Sequence, residues 1–427
     1  MAGTNASIGI VAGGGIFPLL IARSVAARGE KLHVIMIEGD ADDALRAFPH
    51  TVVHWSRLSR AVKALRGAGI TDVMLVGTMA RPDIMKARPD MALVTSLPSI
   101  IRALTAGGDD ALLRGILGLF EARGFRVVGA ARAAPELLIG EGALTALRPS
   151  AGDDADIARG FALIRALGRH DIGQAVVLSG GTIEAIEGAE GTDRMLARIA
   201  VQRGTDGSGR RRDGVLVKRP KPGQDLRVDL PAIVPGTIER AVSAGLAGIA
   251  AMSGHVLVGD RQALIGAADD AGLFIIGVRD ARDAEAGPVT ADGRVEALPL
   301  GAVNPKAALS RDIARGVNVM RVLDTFGTGS ALVVRKKRVL AIGAGEPPGD
   351  VLARVTTKGR QRAGVAVLSP RYELDEAIVR GAAEAGLEGI VVFSAADKQS
   401  AAALDLAGKL GMFVATVTGS STSRSNT

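Results

Sequence analysis

From residue 7 onward, short aliphatic and β-branched runs alternate with alanine-rich runs whose apolar positions recur every three to four residues. The first kind predicts strands at 8–11, 33–37, 51–54, 73–76 and 126–128, and the second predicts helices at 18–28, 58–67, 98–105 and 110–123. Regular alternation of strand and helix is the mark of a parallel sheet covered on both faces. A Rossmann-like α/β domain is therefore expected over residues 1–150. The pattern resumes with a helix at 154–167, a strand at 175–178, helices at 194–199 and 238–245, a strand at 255–258, a helix at 261–271 and a strand at 273–278. These outline a second α/β domain over 151–280.

The rest of the chain repeats the second part. Asp156-Ile157-Ala158-Arg159-Gly160 returns as Asp312-Ile313-Ala314-Arg315-Gly316, and Leu196-Ala197-Arg198-Ile199 as Leu352-Ala353-Arg354-Val355, each 156 residues later. Further on, Gly272-Leu273-Phe274 returns as Gly411-Met412-Phe413. A degenerate duplicate of the second domain is expected at 306–417, after a linker at 281–305 and before a Ser/Thr-rich tail at 418–427 expected to be disordered. The copy keeps apolar positions and loses polar ones. Asp171 and Gln174 become Gly327 and Ser330, Thr192 and Asp193 become Pro348 and Gly349, Lys218 becomes Leu368, and Arg227-Val228-Asp229-Leu230-Pro231 has no counterpart. Groups needed only for folding should survive in both copies, so their selective loss points to function.

Composition narrows the chemistry. The 427 residues are 47% hydrophobic and 23% charged, with 56 Gly and 3% aromatics, which suits a multi-domain globular protein packed with small residues. The absence of Cys excludes disulfides, thiolate catalysis and Cys-ligated metals, and fits a reducing cytoplasm. Five His argue against a His-rich metal centre. The first residues lack a secretory signal pattern, and the most apolar window, 241–259, is broken by glycines, so no membrane span is expected. A net charge of +7 favours anionic partners, either nucleotide phosphates or an acidic membrane surface touched peripherally. Dispersed cations and few aromatics argue against nucleic acid.

The candidate chemistry centres on 214–231, GVLVKRPKPGQDLRVDLP. Lys218, Arg219, Lys221 and Arg227 lie close to Asp225 and Asp229, while Pro220, Pro222 and Pro231 each fix φ and remove a backbone donor. A proline-stiffened charged loop after a strand is a place to hold an anion or a metal; a solvated surface connection is the alternative. Gly13-Gly14-Gly15, between the first strand and helix, could bring backbone N–H groups to a phosphate. Pro18 stands where a dinucleotide fingerprint needs its third glycine, which disfavours NAD. Arg81 in Gly77-Thr78-Met79-Ala80-Arg81-Pro82-Asp83 could meet a phosphate, or pair with Asp83. Asp109 and Asp110 open a helix, where carboxylates are also ordinary caps.

Taken together, these pieces resemble the UDP-2,3-diacylglucosamine diphosphatases of the LpxI type. The matching residues are Ala12-Gly13-Gly14-Gly15 with Pro18, Gly77 with Arg81-Pro82-Asp83, Leu97-Pro98-Ser99, 108–113, Asp171-Ile172-Gly173-Gln174, Glu190-Gly191-Thr192-Asp193, Lys218 with Pro220-Lys221-Pro222, Arg227-Val228-Asp229-Leu230-Pro231 and 244–249, in order over 7–278. The resemblance implies a two-domain enzyme of lipid A synthesis with its substrate between the domains. It implies hydrolysis of the substrate's diphosphate to UMP and 2,3-diacylglucosamine 1-phosphate with Mg²⁺ or Mn²⁺, and Asp229 as the essential carboxylate. Residues 306–417 depart from that pattern.

Diphosphate hydrolysis needs charge neutralisation and a positioned water more than a covalent nucleophile. Asp229, Asp193 and Lys218 are therefore the candidate catalytic residues, with Asp229, Asp193 and Asp171 as oxygen ligands for a hard cation. Gly13, Gly14, Gly15, Arg81, Asp109, Asp110, Gln174, Thr192 and Lys221 are expected at the substrate. A homo-oligomer is expected. A non-catalytic sugar-nucleotide or lipid-binding regulator is the alternative function.

Overall fold

The computed structural model describes residues 7–79, 108–204, 212–280, 282, 293, 295–355, 362–393 and 399–417. The expected helix at 98–105, Arg81, the Leu97-Pro98-Ser99 match, most of the 281–292 stretch and the 418–427 tail lie outside the described residues.

The first sheet contains β1 (Ser7–Ala12), β2 (Lys31–Ile37), β3 (His50–Val53), β4 (Asp72–Val76) and β5 (Arg126–Val127) in the order β3-β2-β1-β4-β5, all parallel. Alternation along β1 explains its two covers. Ile8, Ile10 and Ala12 pack with Ile21, Ala22 and Val25 of helix Phe17–Ala27 on one face. On the other face, Val73 and Ile35 pack with Leu58, Val62 and Leu65 of helix Leu58–Gly67 and with Leu117 and Phe120 of helix Gly108–Glu121.

Among the described residues, the remaining strands form two six-stranded sheets and a two-stranded one. In the second sheet, β6 (Gly142–Ala143), β7 (Ala175–Ser179), β8 (Thr182–Ile186), β9 (Val215–Lys218), β11 (Gly248–Met252) and β13 (Phe274–Val278) are ordered β6-β13-β11-β9-β7-β8. A short parallel pair joins β10 (Ala232–Ile233) to β12 (Leu257–Val258). In the third sheet, β14 (Ala297–Pro299), β15 (Ala331–Arg335), β16 (Arg338–Ile342), β17 (Val365–Leu368), β18 (Gly389–Val392) and β19 (Phe413–Val417) are ordered β14-β19-β18-β17-β15-β16. The two large sheets share every pairing sense, and each has a register shift in its hairpin, after Val177 and after Val333.

Two expectations need correction. The strand expected at 255–258 is confined to Leu257–Val258 and lies outside the second sheet, whose central strand is β11. Gly248-Ile249-Ala250-Ala251-Met252 is buried throughout and lacks the alternation that marks a half-exposed strand. Gly248 is required there, because the Phe274 ring lies where its Cβ would be. The boundaries expected at 150 and 305 also move. Gly142–Ala143 pairs with β13, and Ala297–Pro299 with β19, so each edge strand belongs to the sheet that follows it.

Candidate active site

The turn after β9 lies between the first lobe, built on the β1–β5 sheet, and the second, built on the sheet that contains β9. Pro222 and Gln224 are buried, and Gly223 takes φ +77. The Gln224 side chain closes the turn on itself, accepting from Lys221 N (2.9 Å) and donating to Asp229 O (2.8 Å). A second turn follows, in which Asp225 O accepts from Val228 N (3.2 Å) and Asp229 N (3.1 Å). Val228 packs on the core face formed by helices Leu58–Gly67 and Gly108–Glu121. Leu230 packs on the opposite core, under helix Phe17–Ala27. At Gly129 in the first lobe, a Cβ would come within 2.8 Å of Arg227 Cα, so the two backbones touch. Arg227 adds an ion pair to Glu121 (2.7 Å) and one to Asp225 (2.7 Å), which hold its guanidinium above its usual pKa range.

Asp229, between these anchors, turns toward the second lobe, where Gln174 Nε2 donates to its Oδ2 over a long 3.4 Å. Gln174 is itself fixed, its N–H donating to Glu187 Oε2 (3.0 Å) and its carbonyl accepting from Arg219 N (3.0 Å). The other Glu187 oxygen accepts from Thr192 Oγ1 (2.9 Å), and Lys218 Nζ donates to Thr192 Oγ1 (3.1 Å) and to Ala232 O (3.0 Å). One connected network thus runs Asp229, Gln174, Glu187, Thr192, Lys218. Burial pushes the Lys218 ammonium below its ordinary value of 10.5, opposed by the charges of Glu187 and Asp193.

Glu187 is the member that the motifs missed. Its signal was present in the repeat, since the position 156 residues later is Gly343, a loss of the same kind as those at Gln174 and Thr192.

The other expected site residues fall elsewhere. Asp193 is the second residue of helix Thr192–Arg203, exposed, and pairs with Arg240 at 3.4 Å; the helix N-cap is Gly191. Lys221 is bonded to Asp171, whose φ is +55. Arg219 is buried against Asp280, which also accepts from Arg165 at 2.6 Å. Asp109 and Asp110 lie on helix Gly108–Glu121, with side chains outside the described set.

The glycine loop also differs from expectation. Gly13 N donates to Val76 O (2.9 Å), Gly14 N to Thr78 O (2.7 Å), and Thr78 N returns to Gly14 O (2.9 Å), so two of the three N–H groups expected at a phosphate are engaged by backbone. A Cβ on Gly13 would overlap Thr78 O, so this glycine lets two loops meet. Gly15, at φ +94, faces open space.

The three aspartates expected to hold a cation are not gathered: each has a separate partner. Among the described residues no group of three or more His, Asp and Glu is spaced for a metal ion. Among the described residues the donor set does not fit an all-protein cage for a cation and leaves single carboxylates such as Asp229 as the protein's oxygen donors.

Residues 7–137 match the LpxI N-terminal domain family, and residues 140–276 match the LpxI C-terminal domain family. The chain belongs to the LpxI family. A protein of Caulobacter vibrioides named UDP-2,3-diacylglucosamine pyrophosphatase LpxI is 42% identical over 272 residues, covering 64% of this chain and 97% of that protein. The two LpxI matches join near 138–139, close to the lobe boundary marked by β6, and residues after 276 lie outside both. Among the described residues no helix is long and apolar enough to cross a membrane.

Proposed function

We propose that this chain hydrolyses the diphosphate of UDP-2,3-diacylglucosamine, releasing UMP and 2,3-diacylglucosamine 1-phosphate, as a step of lipid A synthesis. The observation that carries this reading is the seating of Asp229 across the joint of two lobes, tied to a buried cation through Gln174, Glu187 and Thr192. The name of the Caulobacter relative supplies the substrate.

In this reading the substrate lies between a Rossmann-like first lobe and the second lobe. Asp229 orients the attacking water, with Gln174 fixing its rotamer. Lys218 presents positive charge to the transferring phosphoryl group from a dry position, where its electrostatic effect exceeds that of a solvated lysine. The open space at Gly15 admits part of the substrate. A divalent ion, Mg²⁺ or Mn²⁺, would sit on Asp229 and the substrate phosphates and neutralise their charge. Residues 306–417 are a degenerate duplicate of the second lobe. The net charge of +7 favours peripheral contact with an acidic membrane face.

The test is Asp229→Ala. Release of UMP should fall by at least about a hundredfold while the substrate still binds, the pattern of a group used mainly in the transition state. Unchanged turnover would remove Asp229 from the mechanism. A wild-type chain that binds the substrate and never cleaves it would favour the regulatory reading.

A further inference from the structure

The contacts between residues 140–280 and residues 306–417 come in reciprocal pairs. Arg159 Nη2 donates to Phe326 O at 2.6 Å, and Arg315 Nη2 donates to His170 O. Arg315 stands 156 residues after Arg159, and Phe326 stands 156 after His170, so the two bonds are one bond made twice in opposite directions. The same offset relates Glu190 to Glu346 and Arg198 to Arg354. These four close a half-buried ring: Arg198 reaches Glu190 (3.2 Å) and Glu346 (3.1 Å), while Arg354 pairs with Glu346 and reaches Glu190 (3.9 Å). The apolar seam obeys the rule too. Ile157, Phe161 and Ile164 of helix Ala151–Gly168 share one core with Ile313, Val317 and Met320 of helix Ser310–Thr325, each pair again 156 apart.

Contacts in which i meets j′ and j meets i′ are the signature of a two-fold interface between like subunits. Here both halves belong to one chain. Two of the contacts touch loops of the candidate site: His170 precedes Asp171 to Gln174, and Glu190 precedes Thr192. Their mirror contacts fall beside Ser330 and Pro348, where the polar set has been lost.

We propose that residues 306–417 take the seat of a second copy of the 140–280 unit, and that from this seat Arg315 and Glu346 hold the loops carrying Gln174 and Thr192. The homo-oligomer expected from the sequence is then met inside a single chain with one working site. The seating half stands on packing alone; the bracing half rests on the proposed hydrolase reading.

The experiment compares Arg315→Ala with its mirror, Arg159→Ala, in the full chain. Wild type should sediment with the mass of one chain over a wide concentration range; a tight dimer would overturn the seating, because a place filled from within leaves none for another copy. Both variants should melt lower than wild type by comparable amounts. Only Arg315→Ala should lose UMP release, by about tenfold in kcat with little change in KM, since misplaced loops cost turnover steeply, and Arg315→Lys should recover part of it. Equal kcat losses in both variants, or none in Arg315→Ala, would overturn the bracing. Should Arg315→Ala not fold, Glu346→Gln, which loosens the second brace, carries the same expectation. A wild-type chain that released no UMP would refute the hydrolase reading, and sedimentation and melting would still decide the seating.

Discussion

Replacing Glu187 with Gln tests the network from its centre. Glu187 accepts two hydrogen bonds, from Thr192 Oγ1 at 2.9 Å and Gln174 N at 3.0 Å. A glutamine amide offers one acceptor and one donor. It keeps the Gln174 N–H only by turning its NH2 toward Thr192, whose hydroxyl then faces two donors, the amide and Lys218. One hydrogen bond to a charged acceptor is lost, worth about 2 kcal/mol. If that loss falls on the transition state, turnover drops about thirtyfold. The pH profile provides the sharper readout. The proposed mechanism uses Lys218 as a cation, so the rate should fall as pH rises through its folded pKa, which burial has already pushed below 10.5. Removing the Glu187 charge lowers that pKa further and moves the alkaline limb to lower pH. Asp193→Asn should move it less, because the Asp193 carboxylate is 61% exposed and screened by solvent. The assay is UMP release against pH for wild type and both variants, with melting curves to confirm folding. An alkaline limb that stays in place in a folded Glu187→Gln variant would refute the electrostatic role given to Lys218.

Two glycine substitutions probe the joint and the loop. In Gly129→Ala the new Cβ meets Arg227 Cα at 2.8 Å and Leu226 O at 3.0 Å, both backbone atoms that no rotamer change can clear. It should cost about 1–3 kcal/mol by overpacking and lower kcat as the Asp229 turn shifts, measured by urea unfolding and kinetics. Gly13→Ala forces a Cβ onto Thr78 O and should lose stability by a similar amount while substrate affinity changes little. Weakened affinity at unchanged stability would return Gly13 to the substrate.

Much of this was legible along the chain. The first sheet follows from strand-helix alternation, with helix Leu58–Gly67 matching its expected limits. Strand β11 was hidden because a fully buried strand, Gly-Ile-Ala-Ala-Met, carries no period of two. Asp229, Gln174, Thr192 and Lys218 were marked by their loss from the copy, and they share one hydrogen-bonded network. Asp171 and Asp193 carried the same mark, yet they are paired to Lys221 and Arg240, because residue type and spacing do not reveal which cation folds against which carboxylate. The backbone bonds of Gly13 and Gly14 were not legible, because a glycine that frees backbone for a ligand reads the same as one that lets two loops touch.

The turn bearing Asp229 is wedged into both faces of the first lobe by Val228 and Leu230, while Gln174 and Lys218 ride on the second. Any separation of the two lobes must therefore carry the carboxylate away from its amide partner or tear its neighbours from their sockets. On the proposed hydrolase reading, bringing the reacting groups together and seating the two lobes on each other are one event.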